Sequence, residues 1–429
     1  MLTSVAQATP IIVAWWALKF NQGSLYAAFF LFVVTCGELG GILTASQVVR
    51  RFGEEKSLFL CGILMTLSLC LLNTGMSIDS NSEQRTAFVL VGVLIQGFYI
   101  GWLAPVFQQF LTRLSAKTNA AAEIKQSIRL AVLAGVAGPA LAGTYLSTHE
   151  FRFWPFIEFS IILVTCGSLL PNIFSRPSEK SVNSGAVQII GKPIFTGARI
   201  FFQLRPARSL LLLGFATNVS LYAFFALIVP IVISHGKGAQ PWMIGFIDNV
   251  FCLFGFVAGS FVANIFTRNF GKRLAIGTSI LCIGGCLLLF AVLAVARFDG
   301  LSFNHMLFLP IVFVLMAIAG STTVGVDMTM NPLISLAVPD KYRMGFLQFA
   351  AFLQRFIMMA AMWILGIAML HVTPFLMCGL LGVAIIGIAA MFVIGFEDHP
   401  VWSLPDGEIH EAYGRFFPDI FAGQEDLKA

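Results

Sequence analysis

The sequence predicts an all-α membrane protein of twelve transmembrane helices, arranged as two pseudo-symmetric six-helix halves. Three observations lead there. The 429 residues are 58% hydrophobic and 11% charged, with a mean hydropathy of +0.87, whereas soluble domains carry about 25% charged residues. Nearly uncharged stretches of about 18 residues or more recur along the chain, each enough for a membrane helix, and the alternating segments of a membrane barrel are missing. The third observation is a repeat. Gly41 to Lys56 reads GILTASQVVRRFGEEK and Gly259 to Arg273 reads GSFVANIFTRNFGKR, so Gly41 aligns with Gly259 and Gly53 with Gly271 at one offset of 218. A constant offset of that size marks a duplicated half.

Twelve spans follow from the apolar windows, at about 2–20, 24–49, 57–77, 87–112, 127–147, 154–174, 208–234, 242–267, 274–296, 306–335, 346–369 and 374–396. The halves are then 1–174 and 208–396, joined by a linker over 175–207 and followed by a tail over 397–429. Placing both termini in the cytoplasm puts 19 of the 26 lysines and arginines in inner loops and tail, and five in outer loops. That asymmetry sets the expected orientation, in a plasma or inner membrane.

Span 1 has no basic run before it and no cleavage signature, so no removable signal is expected. Pro10 aligns nearly with Pro230, which leaves span 1 about three turns short at its inner end, at 3.6 residues per turn. In the linker, AVQIIGKPIFTGARIFFQLRPAR is amphipathic and is expected to lie on the inner leaflet, with Lys192, Arg199 and Arg205 near anionic headgroups. The tail, with Pro400, Pro405, Pro418 and several acids, is expected to be irregular and solvated. All eight cysteines fall in apolar spans without metal-ligand spacing and are expected to be apolar fillers.

Charges inside the spans are functional candidates by default, because each costs about 2.5–3.5 kcal/mol at a helix centre. Glu38 in span 2, Asp327 in span 10 and Arg355 in span 11 lie at matched depths, within roughly 5 Å of one layer at 1.5 Å per residue. They are the candidate proton-coupling layer, set against the plainer reading of a permanent ion pair stapling the halves. Asp248 and Asn249 sit in the outer third of span 8. Arg129, one turn inside span 5, is expected to snorkel to the interface, and Glu158, near the outer surface, is discounted. Further candidates for a substrate cavity are Gln96, Tyr99, Asn218, Tyr222 and Gln354.

The repeated loops resemble those between helices 2 and 3, and 8 and 9, of the major facilitator superfamily, roughly G-x-x-x-D-R-x-G-R-R/K. Gly41, Arg51, Gly53 and Lys56 fit in the first copy, and Gly259, Gly271, Lys272 and Arg273 in the second; the acidic position holds Arg50 and Arg268. Span 5 carries AGVAGPALAG, whose Gly135, Gly138, Pro139 and Gly143 resemble the proline–glycine motif of drug–proton antiporters in that superfamily. Span 4 carries LIQGFYIG, similar to the R-x-x-Q-G pattern but without its arginine, and the segment from Asn331 is similar to the connection between spans 10 and 11, with Asp340 and Arg343 at its turn.

The resemblance implies alternating access by rocking of two halves, with spans 2 and 11 facing each other and span 10 beside span 11. Glu38 and Asp327 should then both reach Arg355. It also implies proton-coupled export of an amphipathic organic compound, such as a drug-like molecule, natural product or siderophore, by a monomer without cofactor, metal or nucleic acid. The alternatives are uptake of a nutrient or metal chelate, or a transporter fold that only senses or scaffolds. No nucleophile–base pairing or phosphate loop suggests an enzyme.

Overall fold

The two glycines aligned by the repeat both adopt positive φ. In the computed structural model, Gly53 has φ 79° and Gly271 has φ 75° with ψ 166°. A Cβ at either position would meet nothing within 4 Å, so backbone angle alone requires glycine there. The conformation of Gly271 is one essentially closed to other residues, at a cost of about 1–3 kcal/mol. Gly53 separates Gly23–Phe52 (span 2) from Glu54–Ser77 (span 3), and the non-helical Gly271 divides Trp242–Phe298 into spans 8 and 9.

The structure describes residues 12–14, 16–18, 23–77, 82–115, 125, 128, 132, 193–235, 242–298, 305–395 and 399–422. Expectations for Pro10, Arg129, Glu158 and the span 5 residues Gly135, Gly138, Pro139 and Gly143 lie outside them. Among the described residues there is no strand, and eight helices are long and apolar enough to cross a bilayer. Span 4 is Ser82–Ser115, span 10 His305–Ser335, span 11 Asp340–Ala368 and span 12 Pro374–Gly395. Span 7 runs as Arg205–Ala223, a π-turn Phe224–Ile228, then Val229–His235. Pro230 explains the widened turn, since its ring would clash with the carbonyl four residues back in a regular α-helix.

Each half is built on the same helix crossing. In the first, a Cβ on Gly97 would lie 1.9 Å from the Val34 carbonyl oxygen, and one on Gly101 would lie 2.1 Å from that of Glu38. Reciprocally, a Cβ on Gly37 or Gly41 would strike the Leu94 or Phe98 carbonyl, at 2.3 and 2.1 Å. The G-x-x-x-G spacing on both helices thus lets backbones touch. In the second half the repeat offset turns Gly37 and Gly41 into Gly255 and Gly259, which pack on Val324, while a Cβ on Gly320 would lie 1.9 Å from the Phe251 oxygen.

Between the halves, spans 2 and 11 run antiparallel along each other. From one end, Gly366 packs on Ala28, Trp363 on Phe29 and Phe32, Met359 on Cys36, and the Gln348 amide donates to the Ile42 carbonyl at 2.8 Å. At the end bearing the Gly53 and Gly271 turns, called here the basic end, Ile128 and Val132 rest on Ala263, Val324 and Met328. The linker helix Pro193–Gln203 packs Gly197 and Phe201 onto Gly345 and Phe349 of span 11, leaving Phe195, Arg199 and Phe202 exposed.

The tail departs from expectation, because it is folded. Val401, Trp402, Ile409 and Tyr413 are buried against the second half. The Glu411 and Tyr413 amides donate to the Leu336 and Ala337 carbonyls at 2.9 and 2.8 Å, satisfying acceptors left over at the end of span 10. Its prolines begin short helices at Pro400 and Pro418 instead of breaking structure.

Candidate functional site

At the middle of the span 2/span 11 crossing, Arg355 Nε lies 3.0 Å from Glu38 Oε2. The carboxylate side chain is 4% exposed and the guanidinium 26%. The pair is therefore asymmetric: the acid is enclosed, while the base opens toward a more accessible space. Span 2 presents Glu38 to span 11 because the adjacent face, with Gly37 and Gly41, is taken up by span 4. Tyr222, on span 7 just before the π-turn, is within electrostatic reach of both charges, and its buried hydroxyl has no hydrogen-bond partner among the described residues. Arg355 also points Nη1 toward the Met358 sulfur at 3.7 Å.

Asp327 does not join this pair. Among the described residues it makes no ion pair or hydrogen bond, and Arg355 is bridged by Glu38 alone. Matched depth places residues in one layer but does not fix their direction around a helix. Span 10 packs along span 8 through Gly320 and Val324 and makes no comparable packing with span 11, contrary to the expected neighbourhood.

The cavity candidates divide. Gln96 is buried with both amide atoms unpaired, and the half-buried Asn249 has an unpaired Oδ1 among the described residues. Asp248 is buried and accepts a long contact from the Cys252 thiol at 3.7 Å. Asn218 is exposed and Gln354 half-buried. Tyr99 is no cavity residue: its ring is fully buried among Ala45, Cys61, Met65 and Trp102, in the packing of spans 2, 3 and 4. A tyrosine on a glycine-bearing helix could face either side, and its neighbours Gly97 and Gly101 already occupy the approach to span 2.

In the loops, Arg51 is exposed with its guanidinium 5.6 Å from the Phe52 ring. Arg273 donates to the Val393 carbonyl of span 12 at 2.8 Å. Lys272 is engaged by the tail, at 3.0 Å from Asp406. At the span 10/11 turn, Arg343 pairs with Asp340 and donates to the Val338 carbonyl at 3.1 Å, bracing the turn. Two contributors escaped sequence reasoning. Gln348, buried, ties span 11 to the Ile42 backbone, and Asp406 receives lysines from two loops. The signal for Gln348 was present, since an uncharged amide seven residues before Arg355 shares its helical face.

Residues 1–362 match the Major Facilitator Superfamily. Among solved structures, a D-xylose–proton symporter superposes with a TM-score of 0.67 at 12% identity, covering 95% of this chain and 96% of that one. The xylose transporter of E. coli in an inward-open conformation superposes with a TM-score of 0.65 at 11% identity, covering 93% and 94%. No curated protein matches the sequence. At such identities the shared property is the fold.

Proposed function

The chain belongs to the Major Facilitator Superfamily, as a multi-pass membrane protein of transporter fold, and from that premise we propose that it exports an amphipathic organic compound in exchange for protons. The observation that carries this reading is the Glu38–Arg355 pair, enclosed on the boundary between the halves. Rocking the halves apart separates spans 2 and 11 and strips each charge of its partner. A carboxylate left without its guanidinium in apolar surroundings takes up a proton, which lets the separated state exist. Closing the boundary again expels that proton. One proton moving down about 150 mV supplies about 3.5 kcal/mol, enough for a sizeable gradient of substrate.

Sparse unpaired polar groups on spans 4, 7 and 8 support an amphipathic substrate. Gln96 offers two unpaired amide atoms and Tyr222 and Asn249 one unpaired oxygen each among the described residues, in a chain with 43 phenylalanines. Orientation with both termini inside rests on the 19 basic residues assigned to inner loops and tail. The outward direction rests on the span 5 run Gly135 to Gly143 and its likeness to antiporters.

A second reading, proton-coupled uptake, is favoured by the two xylose transporters among the fold's solved relatives, one of them a proton symporter. Proteoliposomes with a trapped pH-sensitive dye discriminate. A gradient of an accepted compound should drive protons against it in exchange, whereas symport drives them along with it. Glu38→Gln should keep downhill flux of the compound and lose its dependence on pH. Proton movement in neither direction, across a panel of amphipathic compounds and sugars, would leave a fold that senses or scaffolds.

A further inference from the structure

We propose that Asp406 is a gating residue: the folded tail carries this carboxylate across the boundary between the halves, where it ties Lys125 of the first half to Lys272 of the second and latches the basic end shut. The inference rests on the alternating-access reading above. Asp406 Oδ1 is 3.0 Å from Lys272 Nζ, and Oδ2 receives a hydrogen bond from Lys125 Nζ. One carboxylate thus bridges the approach to span 5 and the turn between spans 8 and 9.

The two arms differ in kind. Lys272 is nearly buried, also donates to the Leu404 carbonyl, and belongs to the half on which the tail is seated. The tail itself is fixed there by the Glu411 and Tyr413 backbone bonds and by the Glu411 carboxylate, which accepts from the Asp340 amide at 3.0 Å. Lys125 is 30% exposed, lies in the other half, and can let go without disturbing any of these contacts. Beneath it, Ile128 and Val132 rest on Ala263, Val324 and Met328 across the same boundary. The ion pair therefore caps an apolar closure that opening of this end would have to separate.

The loop compositions explain why the acid comes from the tail. The second repeated loop carries Arg268, Lys272 and Arg273 and no acid, so it cannot neutralise itself. A half-exposed pair is weak enough to break in every cycle, and worth about a two- to five-fold bias in an equilibrium. Partial burial alone would raise the Asp406 carboxyl, but the hydrogen bonds and charges of Lys125 and Lys272 hold it below the usual carboxylate range. The latch stays charged at neutral pH, and salt weakens it.

Hydrogen exchange on the full-length protein in nanodiscs tests this without any transport readout. Lys125→Ala should raise exchange about two- to five-fold in the peptides carrying Ile128, Val132 and Ala263, while the tail peptides over 399–422 keep their protection. Raising salt from low to about 1 M should do the same to the wild type and little to the variant. Exchanging all three charges, with Lys125→Glu, Lys272→Glu and Asp406→Lys, should restore wild-type protection at the closure. Unchanged exchange at the closure in Lys125→Ala, or loosening confined to the tail, would overturn the latch and leave Asp406 as a seat for the tail. Absence of flux in both directions would instead remove the transport reading and leave the exchange result standing.

Discussion

The Glu38–Arg355 pair invites a double-mutant cycle whose outcome follows from its geometry. Two charges 3.0 Å apart attract by about 5.5 kcal/mol gross at an effective dielectric constant of about 20. Most of that is offset by desolvation, so a net value follows from what a substitution leaves behind. Arg355→Met strands a carboxylate whose side chain is 4% exposed, and such a loss costs about 3–5 kcal/mol. Glu38→Gln strands a guanidinium that is 26% exposed and can draw in water, so its cost should be about 1–3 kcal/mol. Replacing both, as Glu38→Gln with Arg355→Met, leaves no unpaired charge and should recover about 2–4 kcal/mol relative to the sum of the single changes. The assay is thermal unfolding of the four proteins in one detergent at one pH, with refolding checked. Simple additivity would show that the charges do not meet in the populated state. So would Glu38→Gln proving more damaging than Arg355→Met, since the exposures demand the opposite order.

Three further outcomes follow from single residues. Gly97→Ala should lower the unfolding temperature by the equivalent of about 1–3 kcal/mol, because its Cβ would lie 1.9 Å from the Val34 oxygen, whereas Gly285→Ala, with nothing within 4 Å, should be neutral or slightly stabilising. Gly271→Ala should also cost about 1–3 kcal/mol, although it meets no atom, because of its φ of 75° and ψ of 166°; a neutral result in the same melt would remove the argument from backbone angle. His399 accepts the Val401 amide on Nδ1 at 3.2 Å, and burial lowers its pKa. The stabilisation from its neutral form is complete above the ordinary value of about 6.5 and is lost as pH falls through the lowered value. Tail protection relative to a His399→Gln variant at matched pH should therefore shrink from neutral to mildly acidic conditions.

What was legible in the sequence was whatever period or angle imposes on residue type. For spans 2 to 4 and 7 to 12, the ends fell mostly within a few residues of the helices because hydrocarbon thickness and charge set both. Gly53 and Gly271 could be picked out because their positive φ strongly favours glycine, so the alignment carried geometry. The partnership of Glu38 with Arg355 was accessible through depth and opposite charge, while the exclusion of Asp327 was not. Direction around a helix axis is decided by which face its neighbour occupies, and span 10 gives its glycine face to span 8. Tail folding was hidden for a related reason. Its prolines and acids were weighed by composition, while Val401, Trp402, Ile409 and Tyr413, which bury it, are divided among short helical turns interrupted at Pro405.

Residue 38 joins these levels. Its carbonyl is the atom that Gly101 approaches, so on one side span 2 meets span 4 backbone to backbone, with no side chain to rearrange. On the other side its carboxylate meets Arg355, a contact that adding a proton can undo. A helix fixed on one face by steric contact and on another by charge can move only by giving up the charge. The proposed proton coupling therefore acts at the boundary between spans 2 and 11. Duplication did not copy this control. The repeat offset of 218 takes Glu38 to Phe256 and Arg355 back to Ala137, so the second boundary, between spans 5 and 8, has neither charge at these positions. Of that boundary the described residues show Ile128 and Val132 resting on Ala263, Val324 and Met328, beneath the Lys125–Asp406–Lys272 bridge. Two halves with the same glycine scaffold therefore differ at their seams, because the offset that preserves the glycines carries neither Glu38 nor Arg355 to the second.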